Sequence, residues 1–321
     1  MVDGVVIIDK PAGWTSHDVV ARVRRLLGER RVGHTGTLDP FATGVLVVLA
    51  GRATRLAQFV SGASKEYEAV IRFGYATETG DATGEPRRVG PDAGGRAGES
   101  LMEWSDEQIE WALKGLRGDI EQIPPMYSAK KVKGRRLYEL ARRGEEIERA
   151  PVPVTVHVLE ATAVADGPSL RRNEDGTRDL AVRVVCSAGT YIRVLAEAVG
   201  ERLGVGAHLA SLRRTRAGQF KIEDAMSLDQ LQEMAEKGAA AGVLLPPDAA
   251  LSEMHFAHLT ADEARSARHG RSLHVEASLE KNYTDGQPVR MFDERGDLLG
   301  VGIYHALTAE LRPRVVLALE K

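Results

Sequence analysis

The chain has 321 residues, of which 43% are apolar and 28% charged, and its formal net charge at pH 7 is −3. This composition predicts a globular protein, and the length predicts two domains with enough residues for a sizeable core. The near-neutral charge excludes a basic field over the whole surface, so a nucleic acid would have to be bound by local basic patches.

Residue usage excludes two further classes of protein. With Cys186 as its single cysteine, the chain has no internal disulfide and no zinc or iron–sulfur site built from several cysteines. No apolar run approaches the roughly 20 residues that cross a bilayer, and the N-terminus lacks the features of an export signal. We therefore expect a cytoplasmic protein without a membrane partner.

The chain begins with a predicted strand at residues 5–8, followed by a turn. Thr15 or Ser16 then caps a helix over residues 18–27, whose apolar face begins at Val19. The opposite face is basic and adjoins two more arginines. These five cations are Arg22, Arg24, Arg25, Arg30 and Arg31.

The next segment, residues 31–46, places one acid in a glycine-rich loop. Its sequence is Arg-Val-Gly-His-Thr-Gly-Thr-Leu-Asp-Pro-Phe-Ala-Thr-Gly-Val-Leu, and an apolar run continues to residue 50. Glycine allows positive φ angles and close backbone approach, here at Gly33, Gly36 and Gly44. The proline after Asp39 disfavours the helical conformation at that acid. The segment predicts a stiff loop that holds one carboxylate and is anchored by a buried strand or helix.

The same Asp–Pro pair also has a purely structural interpretation. Aspartate often caps a helix whose first residue is proline, which would make Asp39 an N-cap. On chemistry alone this alternative is favoured, because one acid in a glycine-rich loop is not an active site.

The middle of the chain alternates predicted helices and strands with polar segments. A helix, a half-buried strand, a polar loop and a glycine- and arginine-rich insertion are predicted at residues 53–61, 64–73, 78–85 and 87–100. Ser105 then caps a helix that ends near Leu116. Two further strands, separated by a polar loop around residues 166–179, are predicted at residues 152–158 and 180–186.

Residues 130–143 are rich in cations. They contain one acid and seven basic residues, namely Lys130, Lys131, Lys133, Arg135, Arg136, Arg142 and Arg143. A solvated helix face would explain the charge equally well. Aromatic residues among the cations, and the rigid Pro124-Pro125 turn before them, favour a surface that contacts phosphates.

A tight glycine turn at residues 187–193 leads into a predicted helix over residues 194–203. This places Tyr191 and Arg193 at the end of a strand, where functional sites tend to form. Beyond it a basic turn, with Arg213, Arg214 and Arg216, joins a short apolar one at residues 208–220. If the protein binds RNA, these three arginines are expected to contact phosphates. After a linker at residues 245–248, a separate and mostly β module is predicted, with a helix at 260–269, strands at 289–293, 298–304 and 314–319, and a hairpin turn at 294–297.

Six segments together resemble the TruB family, the tRNA pseudouridine-55 synthases of bacteria. They are residues 9–14, 33–46, 65–67, 124–134, 189–193 and 212–215. The similarity runs in register from residue 5 to about residue 225, and the long run Gly-His-Thr-Gly-Thr-Leu-Asp-Pro-Phe-Ala-Thr-Gly makes it specific. The insertion at 87–100 and the polar loop at 166–179 depart from the family pattern, outside these segments.

The resemblance implies a fold and an activity. The fold is α/β (α+β), with a catalytic domain at residues 1–248 built on a bent, largely antiparallel mixed sheet, and a PUA-like RNA-binding module at residues 249–321. The implied activity is isomerisation of a uridine at position 55, in the T-arm loop of tRNA, by base flipping and a covalent aspartate adduct. No cofactor and no metal are implied. We expect a monomer whose partner is the tRNA T-arm stem-loop.

The resemblance also assigns site residues. Asp39 matches the catalytic aspartate, Tyr67 the base-stacking tyrosine and Arg193 an active-site arginine. Six substrate-binding residues are expected, at His34, Tyr191, Leu212, Lys10, Lys130 and Arg213. Without the family, core packing would be the favoured interpretation for the tyrosines and the leucine. His34 would equally be a loop histidine bonded to the backbone.

The implied reaction is consistent with this set of residues. A nucleophile must hold one fragment while the uracil turns, and an ionised carboxylate can form such an adduct. Burial raises the pKa of a carboxyl group, and a paired arginine such as Arg193 reverses that effect. The sequence has no P-loop and no dinucleotide-binding glycine motif, which agrees with a reaction that consumes nothing.

Two other functions remain open at this stage. A non-catalytic tRNA-binding or tRNA-folding protein would use the same basic surfaces without chemistry. A glycoside hydrolase would need two carboxylates on either side of the bond, and Asp39 alone fits such a site. The second alternative is the weaker one.

Overall fold

The structure is a computed structural model that describes residues 2–87, 103–128, 130–132, 134–141, 143–162, 170–275 and 283–317. The insertion predicted at residues 87–100 lies outside these ranges apart from Arg87. Of the helices in these ranges, none has the length and apolar character that crossing a bilayer requires.

Nineteen strands are present in the described ranges. They are β1 Gly4–Lys10, β2 Val32–His34, β3 Thr43–Ala50, β4 Lys65–Phe73, β5 Ala76–Thr77, β6 Pro86–Arg87, β7 Gly118–Gln122, β8 Lys131–Val132, β9 Arg135–Arg136, β10 Val152–Ala161, β11 Leu170–Arg172, β12 Arg178–Cys186, β13 Ala207–Ala217, β14 Phe220–Lys221, β15 Phe256–His258, β16 Leu273–His274, β17 Pro288–Phe292, β18 Leu298–His305 and β19 Glu310–Val316.

The same ranges contain seven α-helices and several short 3₁₀ turns. The α-helices are α1 Ser16–Leu27, α2 Ala57–Val60, α3 Asp106–Lys114, α4 Leu137–Ala141, α5 Ile192–Arg202, α6 Leu228–Glu236 and α7 Ala261–Arg268. A 3₁₀ turn at Gly51–Leu56 leads directly into α2. The helix predicted at residues 53–61 is therefore present as two short pieces.

A ten-stranded sheet forms the centre of the molecule. Its strand order is β1-β3-β13-β4-β12-β10-β7, with β2 on β3, β14 on β13 and β11 on β12. The β3–β13 pair is parallel, while β1–β3, β13–β4, β4–β12 and β12–β10 are antiparallel. The mixed, largely antiparallel sheet implied by the resemblance is therefore confirmed.

Helices pack against different parts of this sheet. Side chains of α3 and α5 share a core with β4, β12 and β13, and those of α1 and α6 share a second core with β1 and β3. In β4 every second residue from Lys65 to Phe73 is buried, as the alternating sequence predicts. The site described below lies where α5 and β13 meet the loop before β3.

The helix starts predicted from the sequence are confirmed. Thr15, Ser105 and Thr260 each cap a helix by accepting a hydrogen bond from the backbone of the third helical residue. In each case the side chain of that residue bonds back to the backbone of the cap, so two otherwise unpaired N–H groups are satisfied together.

Three local predictions are wrong. No helix begins at Asp39, because the chain turns once after it and enters β3 at Thr43. The segment predicted as a polar loop around 166–179 is partly a hairpin, in which β11 pairs with the start of β12. The segment predicted as two turns at 208–220 is mostly β13, an eleven-residue strand.

The C-terminal part of the chain forms a second sheet of five strands, in the order β15-β17-β18-β19-β16, with α7 packed on it. The hairpin predicted at residues 294–297 joins β17 to β18. This sheet packs against the Gly51–Val60 region through Leu56, Val301 and Val315. The domain boundary at residue 248 stays a prediction.

Candidate active site

Asp39 lies on the short loop between β2 and β3, and the start of α1 fixes this loop. Ser16 Oγ accepts a hydrogen bond from the Leu38 N–H at 2.9 Å and donates to the Leu38 carbonyl at 3.2 Å. On the other side, the Ala42 N–H donates to the Asp39 carbonyl at 3.1 Å. The backbone is thus held on both sides of Asp39, and its carboxylate faces the pocket described below.

Arg193, in the first turn of α5, binds the Asp39 carboxylate at two points. Its Nε lies 2.9 Å from Oδ2, and its Nη2 donates to Oδ1 at 3.1 Å. The Arg193 side chain is 5% exposed and that of Asp39 31%. Such a paired contact fixes the orientation of the carboxylate as well as its charge. The fold therefore brings together two residues that are far apart in the sequence.

Arg193 is itself held by several acceptors. Its Nη1 donates to the Thr79 carbonyl and its Nη2 to the Tyr127 carbonyl, both at 2.7 Å. Asp81, whose Oδ2 is 4.0 Å from Nη1, lies on the other side of the guanidinium. The arginine is thus positioned between the partly exposed Asp39 carboxylate and the buried Asp81 carboxylate.

Asp81 was not predicted as a site residue, because its sequence is that of an ordinary polar loop. Asp81 Oδ1 accepts hydrogen bonds from the Thr79 hydroxyl at 2.8 Å and the Thr83 N–H at 2.9 Å. The run Thr-Gly-Asp-Ala-Thr-Gly at residues 79–84 is typical of such an Asx turn, so the loop conformation had a signal. Its contact with Arg193 had none, because it depends on the tertiary fold.

Burial raises the pKa of the Asp39 carboxyl above its ordinary value of 3.8. The Arg193 guanidinium acts in the opposite direction, and the nearby Asp81 carboxylate adds to the rise. The cause is the cost of placing a charge in a poorly solvated pocket. A carboxylate in this position is less well solvated than one in water, and it is correspondingly reactive.

Tyr67 and Leu212 lie side by side on the sheet. In the pairing of β4 with β13, Leu212 is opposite Ala69, two residues along β4 from Tyr67. Side chains two apart on a strand share one face, so Tyr67 and Leu212 both border the pocket. Burial raises the pKa of the Tyr67 phenol, which therefore stays protonated at neutral pH.

Arg214 was predicted as a phosphate contact, and this is wrong. It is 2% exposed, and its guanidinium donates to the Val45 carbonyl at 2.6 Å and to the Gly36 carbonyl at 3.0 Å. Because one carbonyl lies in the Asp39 loop and the other in β3, Arg214 joins both to β13. The guanidinium borders the pocket but is too enclosed to contact a phosphate at the protein surface.

His34 and Tyr191 border the same pocket from two sides. His34 Nδ1 accepts a hydrogen bond from the Gly36 N–H at 3.3 Å, and burial lowers the pKa of its imidazole to about 4. The ring is therefore neutral at physiological pH. Tyr191 is the N-cap of α5, and its backbone is bonded to the Gln122 side chain.

Lys10 does not line the pocket. It is 0% exposed, and its Nζ donates to the carbonyls of Pro11, Trp14 and Pro40 at 2.9, 2.7 and 3.2 Å. An ammonium enclosed in this way holds the Asp39 loop through the Pro40 carbonyl and cannot contact a ligand. The expectation that Lys10 binds substrate directly is corrected accordingly.

The other two expected cations differ in their surroundings. Lys130 lines the pocket and is partly exposed. Arg213 points away from it and pairs with Asp9, with Nη–Oδ distances of 3.1 and 2.7 Å. Arg216 is likewise bound to Glu66, at 3.3 Å. Of the basic turn around residue 213, no arginine is therefore an unpaired surface cation.

Asp39, Arg193 and the residues described with them enclose a pocket of about 440 Å³. Its wall combines an aromatic ring, a leucine, a neutral imidazole and a carboxylate paired with arginine. A volume of this order accommodates a flat heterocycle with its sugar, since ligand pockets commonly range from about 300 to 1,000 Å³. The arrangement offers one nucleophilic oxygen beside an apolar surface suited to stacking.

Comparisons with known proteins assign the fold and this site to a class. A family model described as TruB family pseudouridylate synthase (N terminal domain) matches residues 24–192, and one described as tRNA pseudouridylate synthase B C-terminal domain matches residues 193–252. The chain is thus an enzyme of the pseudouridine synthase class. Within that class, it belongs to the TruB family.

Two relatives named tRNA pseudouridine synthase B show how far the similarity extends. The protein from Thermobifida fusca (strain YX) is 47% identical over 278 residues, which cover 85% of this chain and 87% of that one. The protein from Solibacter usitatus (strain Ellin6076) is 40% identical over 301 residues, covering 94% and 95%. Both similarities cover more than four fifths of each chain.

A solved structure described as a Cbf5-Nop10-Gar1 complex has a chain with the same fold. It superposes with a TM-score of 0.70 at 26% sequence identity, and the alignment covers 99% of this chain and 84% of that one. A second, described as an H/ACA RNP bound to a substrate RNA containing 2'-deoxyuridine, gives a TM-score of 0.70 at 25% identity, with 98% and 85% coverage. The similarity therefore extends over both sheets.

Proposed function

We propose that the protein isomerises one uridine in the T-arm loop of tRNA to pseudouridine, and that Asp39 is the nucleophile. The observation that carries this proposal is the two-point contact between Arg193 and the Asp39 carboxylate at the wall of a nucleotide-sized pocket. The relatives named tRNA pseudouridine synthase B support tRNA as the substrate.

The target uridine has to leave its stack to reach Asp39. Extrusion of a nucleotide costs a few kcal/mol of lost stacking, and contacts in the pocket must offset that cost. Stacking on an aromatic ring returns about 1–3 kcal/mol, and Tyr67 offers such a ring. Leu212 contacts the base next to Tyr67. The neutral His34 occupies the space that the flipped base leaves in the RNA loop.

Chemistry then proceeds through a covalent adduct. The Asp39 oxygen forms a bond to the uracil ring or to the ribose carbon, and the bond between the ribose and the ring nitrogen breaks. The uracil turns, and its ring carbon bonds to the ribose while that carbon's proton is lost and the former glycosidic nitrogen gains one. Release of Asp39 restores the carboxylate. The product is an isomer of the substrate, so no oxidant, reductant or cofactor takes part.

Arg193 has two tasks in this proposal. It keeps the carboxylate ionised against the effect of burial, and it holds the oxygens in one orientation while the base turns. Asp81, together with the carbonyls of Thr79 and Tyr127, keeps the guanidinium in place. The arginine therefore needs no rearrangement when the substrate enters.

RNA binding requires cations outside the pocket as well as within it. We propose that Lys130 and the exposed cations of α1 contact phosphates of the T-arm stem-loop. We also propose that residues 249–321 form a separate PUA-like RNA-binding module, that the enzyme acts as a monomer, and that it is cytoplasmic. Phosphate contacts position the RNA, while the shape of the folded loop selects the nucleotide.

The direct experiment uses purified protein and an unmodified tRNA transcript. After incubation without any cofactor, pseudouridine is mapped along the RNA by position. The proposal predicts one modified nucleotide, in the T-arm loop. Product at another position would contradict the substrate assignment, and absence of product would contradict the activity itself.

A further inference from the structure

Ser128 carries a buried hydroxyl without a hydrogen-bond partner. The residue is 5% exposed, and its Oγ has no partner among the residues that the structure describes. Most buried polar side chains are hydrogen-bonded, because an unsatisfied group keeps the penalty of losing its water. A hydroxyl left in this state at the edge of an active-site pocket calls for a functional explanation.

The backbone around Ser128 is held by hydrogen bonds, so the unsatisfied hydroxyl does not result from a loosely held segment. The Ser128 N–H donates to the Met126 carbonyl at 3.0 Å, and the Tyr138 N–H donates to the Ser128 carbonyl at 3.1 Å. One residue earlier, the Tyr127 carbonyl accepts from Arg193 at 2.7 Å. The residue before Ser128 is thus bound to the same arginine that holds Asp39.

Tyr191, which lines the pocket beside Ser128, is anchored just as firmly. Its N–H donates to Gln122 Oε1 at 2.8 Å, and its carbonyl accepts from Gln122 Nε2 at 3.2 Å. The serine and the tyrosine therefore both line the pocket from firmly held backbone segments.

The protonation behaviour of Tyr191 reflects this proximity. Burial raises the pKa of its phenol, and the nearby Asp39 carboxylate acts in the same direction. The Ser128 hydroxyl, which is within reach of the phenol without forming a well-aligned hydrogen bond, and the Arg193 guanidinium oppose the rise. At neutral pH the phenol therefore keeps its proton, and what remains to be set is the direction in which that proton points.

We propose that Ser128 is a positioning residue that acts through Tyr191. When a base occupies the pocket, the Ser128 hydroxyl rotates, and its O–H donates a hydrogen bond to the phenol oxygen. The lone pair facing the serine is then occupied, and the phenolic proton turns toward the flipped base. Hydrogen bonds of this kind are often open in a free enzyme and shorten in the reacting complex. The inference rests on the proposed function, since it needs a base in the pocket.

A double-mutant cycle tests this inference, with Ser128→Ala, Tyr191→Phe and the double variant. Single-turnover rates of pseudouridine formation are measured on an unmodified tRNA transcript, together with KM and the thermal unfolding midpoint. Ser128→Ala should lower the maximal rate about tenfold, the effect of one hydrogen bond in the reacting complex, without raising KM. In the Tyr191→Phe background the same change should alter the rate less than about twofold, because the acceptor is gone.

Stability separates positioning from a structural role. Because the hydroxyl has no partner in the free enzyme, Ser128→Ala should leave the unfolding midpoint unchanged or raise it. Ser187→Ala is the matched control, since Ser187 lines the same pocket but accepts a hydrogen bond from the Thr155 N–H at 2.9 Å. That variant should lower the midpoint, and its effect on the rate should multiply with that of Tyr191→Phe.

Three results would overturn the inference. They are a full rate in Ser128→Ala, an equal loss of rate in both backgrounds, and a fall in the unfolding midpoint as large as that of Ser187→Ala. If the wild-type enzyme forms no pseudouridine in this assay, the proposed function fails and the inference fails with it. An active wild type with an additive cycle removes the inference alone.

Discussion

The Asp39 carboxylate lies in a poorly solvated pocket, and the proposed chemistry requires that it stay ionised there. Burial raises its pKa, whereas the bidentate arginine lowers it. Because the ionised form is the proposed nucleophile, activity should be present above the pKa and be lost as the pH falls through it. The acid limb of the rate profile should therefore lie above 3.8, the ordinary value for aspartate.

Arg193→Lys should move this acid limb to higher pH. Lysine keeps the charge but cannot contact both carboxylate oxygens, so less of the burial effect is offset and the pKa of Asp39 rises further. The measurement is the rate of pseudouridine formation against pH, with Arg183→Lys as the control. Arg183 pairs with Glu66 and Glu160 on the surface of the sheet, so its replacement should leave the limb in place. An unmoved limb in Arg193→Lys would contradict the role of the arginine.

At the scale of single residues, the catalytic candidates and the pairing of Arg193 with Asp39 were predicted, but the other contacts of the site were not. Asp39, Tyr67 and Arg193 were all selected, and the structure brings them to one pocket. Asp81 was missed because its importance depends on a neighbour from a distant helix. Lys10 was expected to bind substrate because of the family resemblance, and Arg214 was expected to contact phosphate because it is basic. Neither signal shows whether a side chain is buried.

At the scale of elements, Gly44 explains why the Asp39 loop can join the sheet. Its φ is +101°, and a Cβ there would lie 2.2 Å from the Arg214 carbonyl oxygen, where β3 pairs with β13. Gly44→Ala should lower the free energy of unfolding by about 3–5 kcal/mol, from backbone strain and overpacking together. Chemical denaturation of both proteins measures this directly.

Gly33→Ala is the natural control for that change. Gly33 has no positive φ, and the nearest atom to an added Cβ is a methyl carbon of Thr54 at 4.0 Å, an ordinary contact. Its free energy of unfolding should change by less than about 1 kcal/mol. Equal losses in the two variants would show that the close approach of β3 and β13 is not what Gly44 provides. Of the three glycines around Asp39, only Gly44 has the positive φ and the close backbone approach that the sequence predicts for them.

The elements that sequence failed to predict share a physical cause. Most of β13 was predicted as a basic turn because Arg213, Arg214 and Arg216 interrupt the apolar pattern of a strand. In the fold Arg214 is buried, and its guanidinium donates to backbone carbonyls. Arg213 pairs with Asp9, and Arg216 pairs with Glu66. Strands with regular alternation, such as β4, and helices with capping boxes, such as α1, were predicted correctly because their signals are local.

At the scale of the whole molecule, a protein of net charge −3 has to bind RNA through local cations. Affinity for tRNA should therefore fall steeply with salt, and log affinity against log salt should be linear. Lys130→Gln should reduce the slope by about 0.7–0.9, the contribution of one phosphate contact. Filter binding or fluorescence anisotropy over a salt series gives the slope.

Arg216→Gln is the comparison for that measurement. Because its guanidinium is already bound to Glu66, the change should alter the slope by much less than one contact. If both variants reduce the slope equally, the ion pairs seen in the free protein open when RNA binds. A slope near zero in the wild type would remove the argument for phosphate contacts altogether.

The central claim is that one carboxylate performs the chemistry while other groups bind the RNA. Asp39→Asn tests it, because asparagine keeps the shape of the side chain and cannot form the adduct. We expect tRNA affinity to change by less than about tenfold, since no phosphate contact is lost, and pseudouridine to be undetectable by position-resolved mapping. Pseudouridine formed by Asp39→Asn at a rate near that of the wild type would contradict the account.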